Sequence, residues 1–371
     1  MAKQAVITFE LDGSRLRIRA ESPHPAILEL DRGSESIERI NQLSESYRGL
    51  IARRSFAEND DTSVLLEVRR FGAEVYDLFF SGLEAALVSS TSLLLRHNTF
   101  FFPLELAHDG KEFLGFRYAI GNWLPKLQEE FPEQADKEVR SSKSAAESIE
   151  LPLGQSPRLR VFLLGLEEEP LSQVFQKTRD VRCDALTTAT IDKLYWQLKW
   201  HNYDVFHFSG HGWLNEDKPQ ESYLVLDERG LQRESILRCN QLVRGHFHTP
   251  LVFLNTCHSG RVGAGYRGFV DFATSFLQAG ATGCIATLWS IDNRGAARFA
   301  AAFYEGLLHR LTVGEALRQA RLACWVQPET LLTSLSYVLF GRPNSRIGEA
   351  GERGVAEQQE ESPNPIDGAD A

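Results

Sequence analysis

The sequence predicts an α/β protein whose core is a mainly parallel sheet with helices on both faces. Three observations predict it. Short, almost wholly apolar runs recur along the second half of the chain, at Val161-Phe162-Leu163-Leu164, Val205-Phe206-His207-Phe208, Leu251-Val252-Phe253-Leu254 and Ile285-Ala286-Thr287-Leu288. Stretches with helical spacing of apolar residues lie between them, and strands covered on both faces read as unbroken apolar runs rather than as alternation. Strands of that kind separated by amphipathic helices imply parallel pairing with helices on either side.

The elements follow in chain order. Val6 to Leu11 and Leu16 to Ile18 alternate around Asp12-Gly13, a hairpin signal. A helix is expected over roughly 36–53, and a stronger one where Val64, Val68, Phe71, Val75 and Leu78 recur at helical spacing. Leu93-Leu94-Leu95 and Phe100-Phe101-Phe102 read as buried strands with a turn at His97-Asn98. In the second half, Arg160 to Leu164 is a strand and Ile191, Leu194, Tyr195 and Leu198 mark a helix face. Strands follow at 204–208, 223–226 and 251–254. Phe269, Phe272, Ala273 and Phe276 form a helical stripe ending at Gly280, a C-cap position. A strand at 285–288 and helices over roughly 293–309 and 313–324 complete the series.

Between these halves the apolar rhythm collapses. Residues 128–158 carry Glu129-Glu130, Pro132, Ser141-Ser142, Ser144 and Pro157, the composition of an exposed linker. The expected organisation is therefore 1–60, a hairpin and helix that is a candidate partner or regulatory segment; 61–127, a first half; 128–158, the linker; 159–343, a second half; and 344–371, an acidic disordered tail. No repeat of solenoid period occurs.

The chain has 371 residues and a formal charge of −10. Seven carboxylates against two arginines lie beyond Asn344, so the folded part is closer to balance. Direct nucleic-acid binding is not expected of such a chain, which lacks a basic stripe. Five cysteines, Cys183, Cys239, Cys257, Cys284 and Cys324, are scattered without a C-x-x-C pair. That usage suits a reducing cytosol rather than a disulfide framework or zinc knuckle. Neither a signal-peptide apolar block nor a membrane-length apolar run is present.

Chemistry concentrates after two of the apolar runs. Val205 to Phe208 leads into Ser209-Gly210-His211-Gly212, and Leu251 to Leu254 leads into Asn255-Thr256-Cys257-His258-Ser259-Gly260. Functional groups of open α/β sheets gather at the carboxyl ends of the strands, so His211 and Cys257, 46 residues apart, are delivered to one edge. A thiol is partly ionised at neutral pH and strongly nucleophilic, and imidazole can take and return the proton that acyl transfer requires. Gly212 leaves its backbone N–H unobstructed, and with the N–H of Cys257 it would form an oxyanion hole.

The blocks Phe206-His207-Phe208-Ser209-Gly210-His211-Gly212 and Leu254-Asn255-Thr256-Cys257-His258-Ser259-Gly260 resemble the His and Cys boxes of the CHAT peptidases, relatives of caspases and separase. Three further blocks agree in order. Pro103 to Gly110 with Phe113-Leu114-Gly115 resembles the family's leading half, Phe276 to Gly283 and Leu288-Trp289 the segment after the nucleophile, and Gly314 to Ala320 the closing helix. The resemblance implies a caspase-like sheet preceded by a degenerate pseudo-peptidase half. It also implies cysteine endopeptidase activity through a Cys257–His211 dyad, with no metal or cofactor. The partners it implies are protein: a substrate, such as a pore-forming or other effector precursor in a bacterial antiviral-defence or cell-death system, and an activating protein. The alternative is a catalytically idle CHAT scaffold or sensor.

Substrate-pocket candidates are Trp289, Ser290, Asp292 and His258. In separase-like relatives an acidic residue follows the Trp and receives a basic side chain; here Ser290 stands there and the nearest acid is Asp292, which leaves a small or apolar P1 residue open. Each has a plainer reading. Trp289 suits a core, and His258, next to Cys257 in an extended chain, points to the opposite side. The other four cysteines read as core and His207 as a satisfied core histidine. Gly263-Ala264-Gly265-Tyr266-Arg267-Gly268 matches G-x-G-x-x-G, but Cys257-His258-Ser259 separate it from the strand end, so it reads as a loop beside the nucleophile rather than a dinucleotide site.

Overall fold

A computed structural model describes residues 3–23, 27–56, 61–98, 100–124, 159–165, 171, 173–175, 180–201, 203–213, 221–227, 236–242, 251–256, 272–289 and 291–347. The linker at 128–158, most of the acidic tail and the glycine motif at 263–268 lie outside these residues, as do Cys257, His258 and Ser290.

Alternation builds the amino-terminal hairpin. In β1 (Gln4–Asp12) Ala5, Ile7 and Phe9 turn inward, and in β2 (Arg15–Glu21) Leu16, Ile18 and Ala20 do so, leaving the charged residues outside. Asp12 pairs with Arg15, and Gly13 holds φ at +60°, the left-handed conformation that a two-residue hairpin loop needs. The hairpin continues into β3 (Ile27–Asp31), a short strand absent from the sequence reading. It is followed by α1 (Ser36–Phe56), α2 (Asp61–Phe79) and α3 (Glu84–Val88). In α2, Val64, Val68, Phe71, Val75 and Leu78 form the buried stripe their spacing predicts.

Next come β4 (Ser92–His97), a 3-10 turn at Leu104–Leu106, α4 (Leu114–Arg117) and β5 (Ala119–Trp123). The strand expected at Phe100 to Phe102 does not form. Phe100 and Phe102 are buried against Phe79, and Phe102 also against Tyr47 and Phe71, but Pro103 removes a donor and the 3-10 turn begins behind it. Apolarity here comes from aromatic packing, not from pairing.

The second half carries β6 (Leu159–Gly165), β7 (Val181–Leu186), α5 (Ile191–Trp200), β8 (Val205–Ser209), β9 (Gly212–Trp213), β10 (Tyr223–Val225), β11 (Ile236–Arg238) and α6 (Cys239–Leu242). β12 (Leu251–Asn255), α7 (Phe272–Gln278), β13 (Gly283–Thr287), α8 (Asn293–Leu308), α9 (Val313–Trp325), α10 (Leu331–Ser336) and β14 (Tyr337–Gly341) complete it. α7 ends where expected, with Gly280 at φ +105°.

Among the described residues one sheet of 11 strands runs in the order β3-β2-β1-β4-β5-β14-β13-β12-β8-β6-β7. Strands β1, β4, β5 and β14 are mutually parallel, and so are β13, β12, β8, β6 and β7. The two blocks meet at the antiparallel β13–β14 pair, so they run in opposite directions. The carboxyl ends of β8 and β12 therefore share an edge with the amino end of β14, while those of β4 and β5 lie at the other edge. β9, β10 and β11 form a separate three-stranded sheet. The run at 223–226, expected beside the other strands, belongs there instead, because β10 has three residues with only Leu224 buried.

Both faces are covered, as predicted. Val161, Leu163, Val205, Phe253 and Ile285 pack with α8 and α9; Phe162, Leu164, Phe206, Phe208, Val252 and Leu254 pack on the opposite face, with Leu194, Leu198, Phe272 and Phe276 of α5 and α7. A buried polar group ties the first block together. The Asn122 side-chain oxygen of β5 accepts from His97 Nε2 at 2.9 Å, and its Nδ2 donates to Glu105 at 2.5 Å and to the Leu339 carbonyl of β14 at 3.1 Å. Arg321 of α9, fully buried, donates to the carbonyls of Gly115 and Tyr337. Burial raises the Glu105 carboxyl above its ordinary range against the opposing pull of Arg321.

Candidate active site

The site edge is built by register. β12 and β8 pair in parallel with Asn255 opposite Ser209, the last residue of each strand. The chain then turns sharply on the β8 side, where the N–H of Gly210 donates to the Asn255 carbonyl at 3.3 Å. His211 follows, exposed, its carbonyl accepting from the N–H of Val225 at 2.9 Å. Gly212 opens β9 and lies against the β12 terminus: a Cβ added there would stand 2.9 Å from Thr256 Oγ1 and 3.4 Å from a Leu224 methyl. No side chain larger than hydrogen fits that approach without displacement.

Thr256 is buried, and its carbonyl accepts from the Thr287 hydroxyl at the end of β13. Asn255 is buried and its side-chain oxygen accepts from the Tyr337 hydroxyl at the start of β14. Four strand ends are thus cross-linked around the position at which the Cys box leaves the sheet. Asn255 lies in that box, whereas nothing in the sequence pairs it with Tyr337, 82 residues away.

Beneath this edge sits His207. It is fully buried, stacked between Phe253 and Tyr304, with Nδ1 3.1 Å from the Tyr304 hydroxyl. Burial lowers its pKa to about 3, which makes it a neutral core residue; Nε2 has no hydrogen-bond partner among the described residues, so the core placement expected of it holds while its hydrogen bonding is met on one nitrogen only.

Of the pocket candidates described, Trp289 follows β13 and is buried in the core, its indole N–H without a hydrogen-bond partner among the described residues. The Tyr47 hydroxyl of α1 donates to the carbonyl of neighbouring Leu288 at 3.4 Å. Asp292 caps α8, Oδ1 accepting from the Gly295 N–H at 2.9 Å. Among the cysteines, Cys239, Cys284 and Cys324 are buried and Cys183 partly so; burial pushes the Cys324 thiol up to about 12. Among the described residues no cluster of three or more His, Cys, Asp or Glu is placed to hold a metal ion, and no helix is long and apolar enough to cross a membrane.

The sheet topology defines a mixed α/β fold, a large mostly parallel sheet flanked by helices, of the caspase-like kind. The CHAT domain model matches residues 69–360, most of the chain, and the protein belongs to that family. The fold is similar to that of Saccharomyces cerevisiae separase in a separase–securin complex, with a TM-score of 0.52 at 12% identity over 91% of this chain and 30% of that one. A second structure of the same complex scores 0.48 with the same identity and coverage. A structure described as a protease scores 0.49 at 12% identity, over 76% of this chain and 69% of that one. This chain thus spans about 30% of the length of the separase chains it matches. No curated protein matches the sequence.

Proposed function

We propose that the protein is a cysteine endopeptidase that cleaves specific protein substrates, with Cys257 as nucleophile and His211 as its proton partner. One observation carries the reading: the register of β12 on β8, Asn255 opposite Ser209, sends the Cys and His boxes off the sheet from adjacent points. Each reactive residue lies two positions beyond its strand end. Membership of the CHAT family supports the same assignment.

In this reading the Cys257 thiol gives its proton to His211 and the thiolate attacks the substrate carbonyl carbon. The backbone N–H groups of Gly212 and Cys257 stabilise the oxyanion that forms. His211 then protonates the leaving amine, and water, deprotonated by His211, hydrolyses the thioester and restores the thiol. Trp289, Ser290, Asp292 and His258 are the candidates for the substrate pocket. The substrate class we favour is an effector precursor in a bacterial defence or cell-death system, reached with the help of an activating protein.

Purified wild type should cut candidate substrate proteins where Cys257→Ala and His211→Ala do not. Equal cutting by wild type and Cys257→Ala would sink the assignment. Cutting by none of them, with candidate activators present, would favour an idle scaffold.

A further inference from the structure

We propose that the outer face of the small β9–β10–β11 sheet is a substrate-docking platform that holds an apolar side chain on Trp213 and Tyr223 and a carboxylate, two or three residues away, on Arg238. It rests on the endopeptidase reading for its place in catalysis, though not for the binding itself.

The two faces of this sheet are unlike. A Cβ at Gly212 would point at Thr256 and Leu224, so the inner face is the one that packs on the β12 terminus, and Leu224 and Leu237 are fully buried there. His211 and Trp213, on either side of Gly212, consequently share the outer face. Register sets their neighbours. Tyr223 pairs with Trp213 on one side and with Arg238 on the other, making a row of two aromatic rings and a cation across three strands. Val225 pairs with Ile236, and its N–H bonds the His211 carbonyl, which makes the next row His211, Val225 and Ile236.

Trp213 is 47% exposed although it stacks on Tyr223, with ring centroids 5.2 Å apart and planes 28° from parallel. Arg238 is exposed and makes no ion pair among the described residues. Strands stand about 4.8 Å apart and an extended peptide rises about 3.4 Å per residue. The span from the aromatic pair to Arg238, about two strand spacings or less with the reach of the guanidinium, therefore matches two to three residues of an extended polypeptide. The row with His211 lies only about 7 Å away along β9. Flat aromatic surface selects apolar side chains, and a guanidinium takes a carboxylate in a charge-assisted pair. A substrate segment bearing both is the occupant this face fits.

The test uses the full chain with Cys257→Ala, which cannot turn over, and fluorescein-labelled dodecapeptides carrying Phe with Glu two or three positions on. Controls replace Glu by Lys or Phe by Ala. Anisotropy should show the Phe/Glu peptides binding about tenfold or more tighter than either control, a loss of that order in Trp213→Ala, and a preference moved from Glu to Lys in Arg238→Glu. Both are surface substitutions, and unchanged thermal unfolding confirms that the fold is kept. Equal binding of all peptides, no binding of any, or preferences unmoved by either variant overturns the platform. Binding that depends on Trp213 and Arg238 without proteolysis by wild type would leave the platform standing and remove the endopeptidase; proteolysis with KM indifferent to both variants would do the reverse.

Discussion

Tyr337, the first residue of β14, donates its hydroxyl to the side-chain oxygen of Asn255, the last residue of β12, across the end of β13 that lies between them. The bond ties the antiparallel junction of the two strand blocks to the residue from which the Cys box departs. Both partners are buried, and the Tyr337 ring stacks on Phe299 with centroids 3.8 Å apart, so its hydroxyl is held in place by packing on α8.

Tyr337→Phe keeps that stacking and removes one buried hydrogen bond. It should cost about 1–2 kcal/mol of unfolding free energy, read from urea melts. In a protease assay kcat should fall while KM holds if Cys257 is the nucleophile as proposed, since the strut holds the strand end that precedes it rather than touching substrate. A stability loss with unchanged kcat would show that the strut serves folding only.

Gly212→Ala asks more of the same edge. Its Cβ would come within 2.9 Å of Thr256 Oγ1, closer than real methyl contacts, and the adjustment falls on the residue next to Cys257. We expect a fall in kcat of about tenfold or more with a stability change near 1 kcal/mol, a rim displacement rather than a core defect. Circular dichroism melts beside turnover rates would separate the two.

Acid sensitivity follows from two buried histidines. Burial lowers His207 to about 3 and His97 to about 4, whereas both titrate near 6.5 once unfolded. The unfolded chain therefore binds more protons below pH 6.5, and stability present at neutral pH is lost as the pH falls toward the folded values. Each group accounts for about 2 kcal/mol between pH 7 and pH 5. Glu105 works in the opposite sense, because a raised carboxyl retains its proton in the fold when the unfolded chain has released it. The measurement is accordingly a difference: unfolding free energy against pH should be shallower in His207→Phe than in wild type, by about 1 kcal/mol per pH unit below pH 6. Parallel profiles would contradict a neutral His207.

How much of this was legible in the sequence depended on whether one local signal sufficed. The strands at Val205 and Leu251 are apolar because α-helical layers cover both faces, and such runs show in any window. β3 and β7 are edge strands with little buried surface, and β5 has only Ala119 and Ile120 before Gly121 and Asn122, so nothing local marked them; Tyr337 to Phe340 of β14 is an apolar run of the same kind as those at Val205 and Leu251 and was open to the same reading. Phe100 to Phe102 misled because burial and strand formation leave the same apolar trace. At the site, the His and Cys boxes stood out as polar and glycine-rich breaks after apolar runs. The aromatic row of Trp213 and Tyr223 did not, since pairing across the small sheet is set by register; the sequence shows a Trp two residues after His211 but neither its exposure nor its partner.

Asp292 separates a structural from a recognition role in one pair of variants. Its carboxylate caps α8, and a side-chain amide oxygen can accept the same N–H from Gly295. Asp292→Asn should therefore keep stability within about 0.5 kcal/mol, while Asp292→Ala, which loses the cap, should cost about 1 kcal/mol. If the carboxylate also receives a basic substrate side chain, both variants should lose cleavage after Arg or Lys in a peptide library to the same extent, because both lack the charge. If it serves the helix alone, Asp292→Asn should cut like wild type, and Asp292→Ala should change only in step with its lower melting temperature. The order of the three proteins in the cleavage assay, set against their order in the melt, decides which description of Asp292 holds.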